Sequence, residues 1–395
     1  MNSSRNNTVH SAQEAGFVSL FTVIFFTLLI TIVTVSFLSI VITEQQQSLN
    51  NDLTASALNA AESGIEDAKR VILDYNNLPA GAAKTALYSA LTSSQCNALT
   101  ADPTAQSIGV SSSGSVNGQT NTNEYFTCLT VNLISPNYIS SSAANDSVFI
   151  PLTAQNNAAY DQIVVSWHLV SASVGASGDG RPTNYAGSAT VLPPVNGGAS
   201  SWSSQGYPAY LRVGLYGYPN SGSFTRSNIS DRNRSVFLVP ASVGTVSPIS
   251  FDTVDPLPHQ FNTNKSALQA VQCTPTPASV PIGTYACTAT LSLPSGAGYL
   301  STANNYFLRV TPLYGSTHFS VSLKNSSSGS TVNLSGVQPI VDVTGRTSNV
   351  YRRVQARVVV GNSINLPEFA AETAGSICKN MVVSDGSYFQ PNNCP

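Results

Sequence analysis

Phe17 to Thr43 reads FVSLFTVIFFTLLITIVTVSFLSIVIT, with no charged residue, no glycine and no proline. At ~1.5 Å per residue this stretch makes a helix of roughly 40 Å, longer than a bilayer core of ~30 Å. A helix apolar on every side has to be covered by lipid or by other protein, so this run constrains the fold more than any other. After Glu44 the apolar positions thin out without ending. Leu49, Leu53, Ala57, Ala60 or Ala61, Ile65, Ala68, Ile72 and Tyr75 recur at steps of three and four, one stripe of a 3.6-residue helix. Glu62, Glu66, Asp67, Lys69 and Arg70 fall mostly off that stripe, and Asn76, Asn77, Pro79 and Gly81 supply the first stop. The spacing predicts one helix over 17–75, membrane-spanning over 17–43 and amphipathic beyond it.

Charged residues are 9% of the 395, against about 25% in an ordinary soluble protein. Ser, Thr, Asn and Gly take their place, as in exported, loop-rich β proteins. A net charge of −2 gives no global attraction to nucleic acid or acidic lipid. The six cysteines, Cys96, Cys128, Cys273, Cys287, Cys378 and Cys394, all follow the apolar run. None forms a CxxC pair and none has a nearby histidine, which argues against zinc. An even number outside the membrane favours disulfides in an oxidising compartment. Neighbour pairing (Cys96–Cys128, Cys273–Cys287, Cys378–Cys394) is the simplest of about 15 connectivities.

Beyond Tyr75 the chain reads as mainly β. Ala80–Leu91 keeps helical spacing, and Ser93–Gln119 is a Ser/Gly/Asn-rich loop. Strands are expected at 125–134, 163–170 (with Trp167 in the core), 210–216 and 235–239, with a loop over 175–206. From Gln272 the alternation is tidier, with strands at 285–293, 305–314, 317–323, 337–344 and 349–360. The expected fold class is α+β, a long N-terminal helix followed by an antiparallel β-rich region. The expected divisions are 1–16, 17–75, 76–271 and 272–395, the last with a tail closed by Cys378 and Cys394.

Little in the sequence suggests catalysis. His168, His259 and His318 are isolated, and no nucleophile elbow, zinc-protease, phosphate-loop or dinucleotide motif is present. No enzyme activity, metal or cofactor is expected. Two basic groups stand out, Arg226, Arg232 and Arg234 in one loop and Arg346, Arg352, Arg353 and Arg357 around the last strand pair. They read as solvated strand edges or as a DNA-contacting patch. Tyr207, Tyr210, Tyr216 and Tyr218 read as core and turn residues or as an adhesive surface.

The junction AQEAG|FVSL carries a resemblance. A short polar leader ending in Gly, then Phe and an uninterrupted apolar helix, resembles the prepilin-peptidase site of type IV pilins and pseudopilins. Carried over, Gly16 precedes the cut and Phe17 becomes the new, often N-methylated, terminus. Asn59–Ala68 (NAAESGIEDA) looks like a segment of the PilX-type minor pilins. Its small residues Ala57, Ala60, Ala61 and Gly64 would let helices approach closely, or let this helix pack on its own β-domain. IVDVTGRTSNVYRRVQARVVV resembles that class's terminal strands, where a Gly-containing turn joins two antiparallel strands packed on the helix. Residues 92–271 resemble nothing and read as an insertion. The family's major subunits carry Glu at the fifth mature position, where this chain has Phe21, as is typical of minor subunits at or near the tip. The resemblance implies a minor, pilin-like subunit held in the cytoplasmic membrane with its body outside, then carried into a filament. Its implied partners are other pilin subunits and the prepilin peptidase. The alternative is an unprocessed, signal-anchored adhesin or envelope protein.

Overall fold

The computed structural model describes residues 14–96, 98–107, 124–169, 208–221, 225, 228, 232–241, 248–251, 268–273 and 284–359. Its first element, α1 (Glu14–Asn77), is a single α-helix of 64 residues, ~96 Å long. It starts three residues before Phe17 and ends at the Asn pair. Beyond it Pro79 blocks continuation, and the Lys84 ammonium donates to the Leu78 carbonyl at 2.8 Å. The helix has two environments. From Leu20 to Ile42 the large apolar side chains, Val41 excepted, are 45–67% exposed. From Ala57 onward one face is buried, with Ala57, Ala61, Ala68 and Val71 at 0%.

That face lies on a three-stranded antiparallel sheet made of β1 (Glu124–Ser135), β13 (Leu334–Thr347) and β14 (Val350–Arg357), with β13 in the centre. Val131 pairs with Val341, Cys128 with Thr344 and Gly345 with Arg352. Ile65, Ile72, Leu129, Leu133, Val341 and Val343 form the core between helix and sheet, each contributing roughly 1.5–3 kcal/mol by leaving water. α2 (Ala82–Leu91) and α3 (Pro103–Ser107) add Leu87, Leu91 and Ala105 to it. α3 interrupts the loop expected over 93–119. Asp102 nucleates it by accepting bonds from the backbone N–H groups of Thr104 and Ala105 at 2.9 and 3.1 Å, an Asx-type N-cap.

The remaining strands are β2 (Tyr138–Ser142), β3 (Val148–Pro151), β4 (Gln162–Leu169), β5 (Tyr210–Pro219), β6 (Arg234–Ala241), β7 (Ile249–Ser250), β8 (Leu268–Gln272), β9 (Tyr285–Ser292), β10 (Asn304–Leu313) and β11 (Thr317–Lys324). A two-residue β12 (Thr331–Val332) precedes β13. One sheet orders β3-β10-β5-β6-β8, and another runs β11-β4-β9-β7 with β2 beside β11. Trp167 is fully buried, and its indole N–H donates to the Ala209 carbonyl at 2.9 Å. The Cys273–Cys287 bridge ties the end of β8 to β9.

The described residues fall into two compact units. One comprises the chain up to Tyr138, Thr153–Ala159 and Ser327 onward; the other comprises Ile139–Leu152 and Tyr160–Ser326. This differs from a linear division at 271/272. The reason is the strand pairing. β4, from the middle of the chain, lies between β9 and β11, both placed in the C-terminal division. β1 is likewise completed by β13, which lies some two hundred residues later. The expected loop over 175–206 and the tail with Cys378 and Cys394 lie outside the described residues.

Candidate functional site

The most distinctive surface is α1 itself. Its apolar half carries hydroxyls that bond back into the helix. Thr27 donates to Ile24 O, Thr31 to Leu28 O, Thr34 to Ile30 O, Ser36 to Ile32 O and Thr43 to Ser39 O, at 2.8–2.9 Å. These bonds leave the polar atoms satisfied without water, as a lipid surround demands. Of the described residues, this helix is the one long and apolar enough to cross a membrane. Gly16 and Phe17 stand in helical backbone in its first turn. Phe21 is 67% exposed on the bare stretch.

The small residues of the second half are used within the chain. Ala57 and Ala61 lie against Gly345 of β13, and Gly64 lies against Val343 and Phe126. Of the two roles weighed for this segment, the structure gives these three residues to helix-on-sheet packing within the protein. Ala60 is 8% exposed. The opposite face of the helix carries Glu62, Glu66 and Arg70, with ion pairs Lys69–Glu66 and Arg70–Asp67. Burial raises the Asp67 carboxyl above its usual range, and the Arg70 charge partly opposes this.

Gly345 is the position that sequence reasoning misplaced. It was expected in the turn between the last two strands, yet it sits inside β13, and the turn is at Ser348–Asn349. An isolated Gly within a strand pattern marks a close backbone approach, which was the available signal. The alternation expected on the last strand does hold. Arg352, Val354 and Ala356 point to the helix side, Arg352 donating to Thr54 Oγ1 at 3.1 Å.

The second arginine group is engaged within its own unit, Arg352 with the helix and the others with the sheet and its margins. Arg353 Nε donates to Asp342 at 2.8 Å, and that bond holds its guanidinium charged. Arg357 donates to the Asn137 carbonyl at 2.8 Å and to Gln338. Arg346 donates to Tyr125 OH and to the Ser348 carbonyl. In the first group Arg232 bonds Asn304 and the Asn228 carbonyl, and Arg234 lies over the Tyr299 ring; Arg226 lies outside the described residues. Tyr210 is buried at 1% exposure, which removes it from any adhesive surface, and Tyr216 and Tyr218 are half-buried. Tyr207 and His259 lie outside the described residues, and His318 is exposed on β11.

Two of the expected disulfides are present, Cys96–Cys128 and Cys273–Cys287. Among the described residues no group of His, Cys, Asp or Glu is arranged to hold a metal ion. His168 is 9% exposed within β4, and burial lowers its pKa. No protein family, no curated protein and no solved structure matches the chain.

Proposed function

We propose that the protein is a minor, pilin-like filament subunit, anchored in the cytoplasmic membrane by the first half of α1 with its body on the extracytoplasmic side. A prepilin peptidase cuts it between Gly16 and Phe17, and the apolar helix then joins a bundle formed by other pilin subunits. The subunit stands at or near the filament tip, where it starts assembly or meets a surface, and it catalyses no reaction. The observation that carries this reading is the continuity of α1. One unbroken helix passes from a bare apolar half to a half clamped on the protein's own sheet. A helix built this way moves its body rigidly with its membrane segment, which a filament subunit needs and a flexibly tethered surface protein does not. The two disulfides in the body fit an oxidising exterior.

The experiment is to determine the amino terminus of the mature protein in membrane and sheared-filament fractions. A chain beginning at Phe17 is the expected result. An intact Met1 in both fractions overturns the reading in favour of an unprocessed signal-anchored surface protein.

A further inference from the structure

We infer that the free edge of β14 receives one more strand, an extended acidic segment of another polypeptide. The inference does not depend on the filament reading. β14 ends its sheet in the order β1-β13-β14, and no described strand pairs with its far side. Its ladder with β13 runs from Thr347–Val350 to Ile340–Arg357 without a shift in register. It is eight residues long and contains neither Pro nor Gly. The other edges are short or covered. β3 has four residues and closes on Pro151, and β7 and β12 have two each. β2 and β8 have five, and β8 leads into the Cys273–Cys287 bridge. β1 is held by the Cys96–Cys128 bridge, and its Leu129 N–H donates to the Cys96 carbonyl at 3.4 Å. A long, regular edge is a template on which an extended chain can pair.

The hairpin decides which groups β14 offers. Thr347 and Val350 close a two-residue turn, so they form a hydrogen-bonded pair, and every second pair after them does the same. The Val358 N–H, donating to the Pro339 carbonyl at 2.9 Å, keeps that phase. Val350, Arg352, Val354 and Ala356 therefore bond to β13. Tyr351, Arg353 and Gln355 turn their N–H and C=O groups to the free side.

The side chains specify the partner. β14 carries Arg352, Arg353 and Arg357 and no carboxylate. Arg353 bonds to Asp342, yet its side chain stays 72% exposed, and its remaining N–H donors can take a second carboxylate. Pairing with β14 of a second copy would set these arginines against their own kind, and like charges across a ladder destabilise it. An acidic strand is matched instead. On the helix side, Thr54 accepts the Arg352 bond, and Leu58 follows it by one turn on the same flank. Leu58 is 40% exposed, so the inward residues of the added strand are apolar. The partner segment alternates acidic and apolar residues.

The probe is a short peptide of alternating valine and glutamate, added at neutral pH to the full chain in detergent micelles. Amide exchange is read residue by residue. Without peptide, the amides of Tyr351, Arg353 and Gln355 should exchange fast and those of Arg352, Val354 and Ala356 slowly. The peptide should slow the first three. A valine–lysine peptide should bind about tenfold more weakly, through the reversed cross-strand charge pairs. The valine–glutamate peptide N-methylated on alternate residues should not bind. Gln355→Pro removes an outward N–H, a change an edge strand tolerates, and should abolish binding while the Val343 amide stays protected. If that variant fails to fold, the N-methylated peptide decides. Slow exchange at Tyr351, Arg353 and Gln355 before peptide is added shows that the chain covers its own edge and overturns the proposal. A peptide that leaves these amides fast overturns it too, as does equal binding of the lysine or N-methylated peptide, or binding that survives Gln355→Pro.

Discussion

A Cβ built on Gly345 would stand 2.1 Å from the carbonyl oxygen of Ala57 and 2.5 Å from the backbone nitrogen of Ala61. The helix backbone and the strand backbone meet here without an intervening side chain, and neither can yield without shifting an element. Gly345→Ala is therefore expected to destabilise the helix–sheet unit by at least ~3 kcal/mol, the upper part of the range for overpacking. The entropic gain of Gly→Ala, about 0.4–1 kcal/mol, is too small to offset it. At Gly64 the nearest atom is Val343 Cγ1 at 2.7 Å, a side-chain methyl that can move, so Gly64→Ala should cost about 1–2 kcal/mol. Urea unfolding of the full chain in detergent would rank the two. A Gly345→Ala protein as stable as the parent would refute this account of the helix–strand contact.

The same contact shows what the sequence revealed and what it hid. The helix was legible because its signals are local: an apolar run without breakers, then a stripe at steps of three and four ending at Asn77 and Pro79. Strands with clear alternation, such as the one holding Trp167 and the one from Val350, were legible for the same reason. Gly345 was not, since a Gly beside Arg346 and Thr347 looks like a turn until the helix that needs the space is in view. β2, β3 and β8 were missed because Tyr138–Ser142, Val148–Pro151 and Leu268–Gln272 are short and depend on partners far away in sequence. The two compact units are discontinuous in sequence through the same non-local pairing. Tyr210 could not be placed from its neighbours in sequence, because Val239 of β6 and Tyr314 of the β10–β11 turn, which pack on it, lie far away in the chain.

The Cys96–Cys128 bridge closes a separation of 32 residues and fastens the segment carrying α2 and α3 to β1. Replacing both cysteines by serine should lower stability by ~3–4 kcal/mol in the chain-entropy picture. Non-reducing peptide mapping establishes the bond, and unfolding curves of parent and double variant give the magnitude. Free thiols at both positions in protein taken from cells would argue against an exterior body.

His168 titrates in the direction that makes acid harmful. Burial lowers its folded pKa below the ordinary 6.5, so the unfolded chain takes up a proton first as the pH falls. Its stabilising contribution is complete above about 6.5 and is lost as the pH falls through the lower folded value. Asp67, with a raised pKa, acts oppositely and only in the carboxylate range. Stability should thus decline on acidification from neutral pH, and His168→Asn should flatten that decline. Asn suits the site because His168 has a φ of +64°, a backbone region where Asn is well tolerated. Denaturant midpoints measured across pH 5–8 for both proteins would decide; identical slopes would remove His168 as the cause.

Phe21 leads to the prediction that bears most directly on where the subunit sits. It lies on the bare half of α1 at 67% exposure, at the fifth position after the proposed cut. In a bundle of processed subunits every amino terminus brings a positive charge into an apolar interior, where an unpaired charge costs several kcal/mol. A glutamate at the fifth position of the subunit entering below offsets the terminus above it. In the filament proposed above, Phe21 has no charge to offer, so this chain would not neutralise a terminus above it and would fit best where no subunit precedes it. Phe21→Glu should let the chain enter the shaft and raise its copy number relative to the major subunit severalfold. Quantitative mass spectrometry of sheared filaments measures that ratio directly. If the unmodified chain already makes up the bulk of the filament, the tip position is wrong, while its membership of the filament stands.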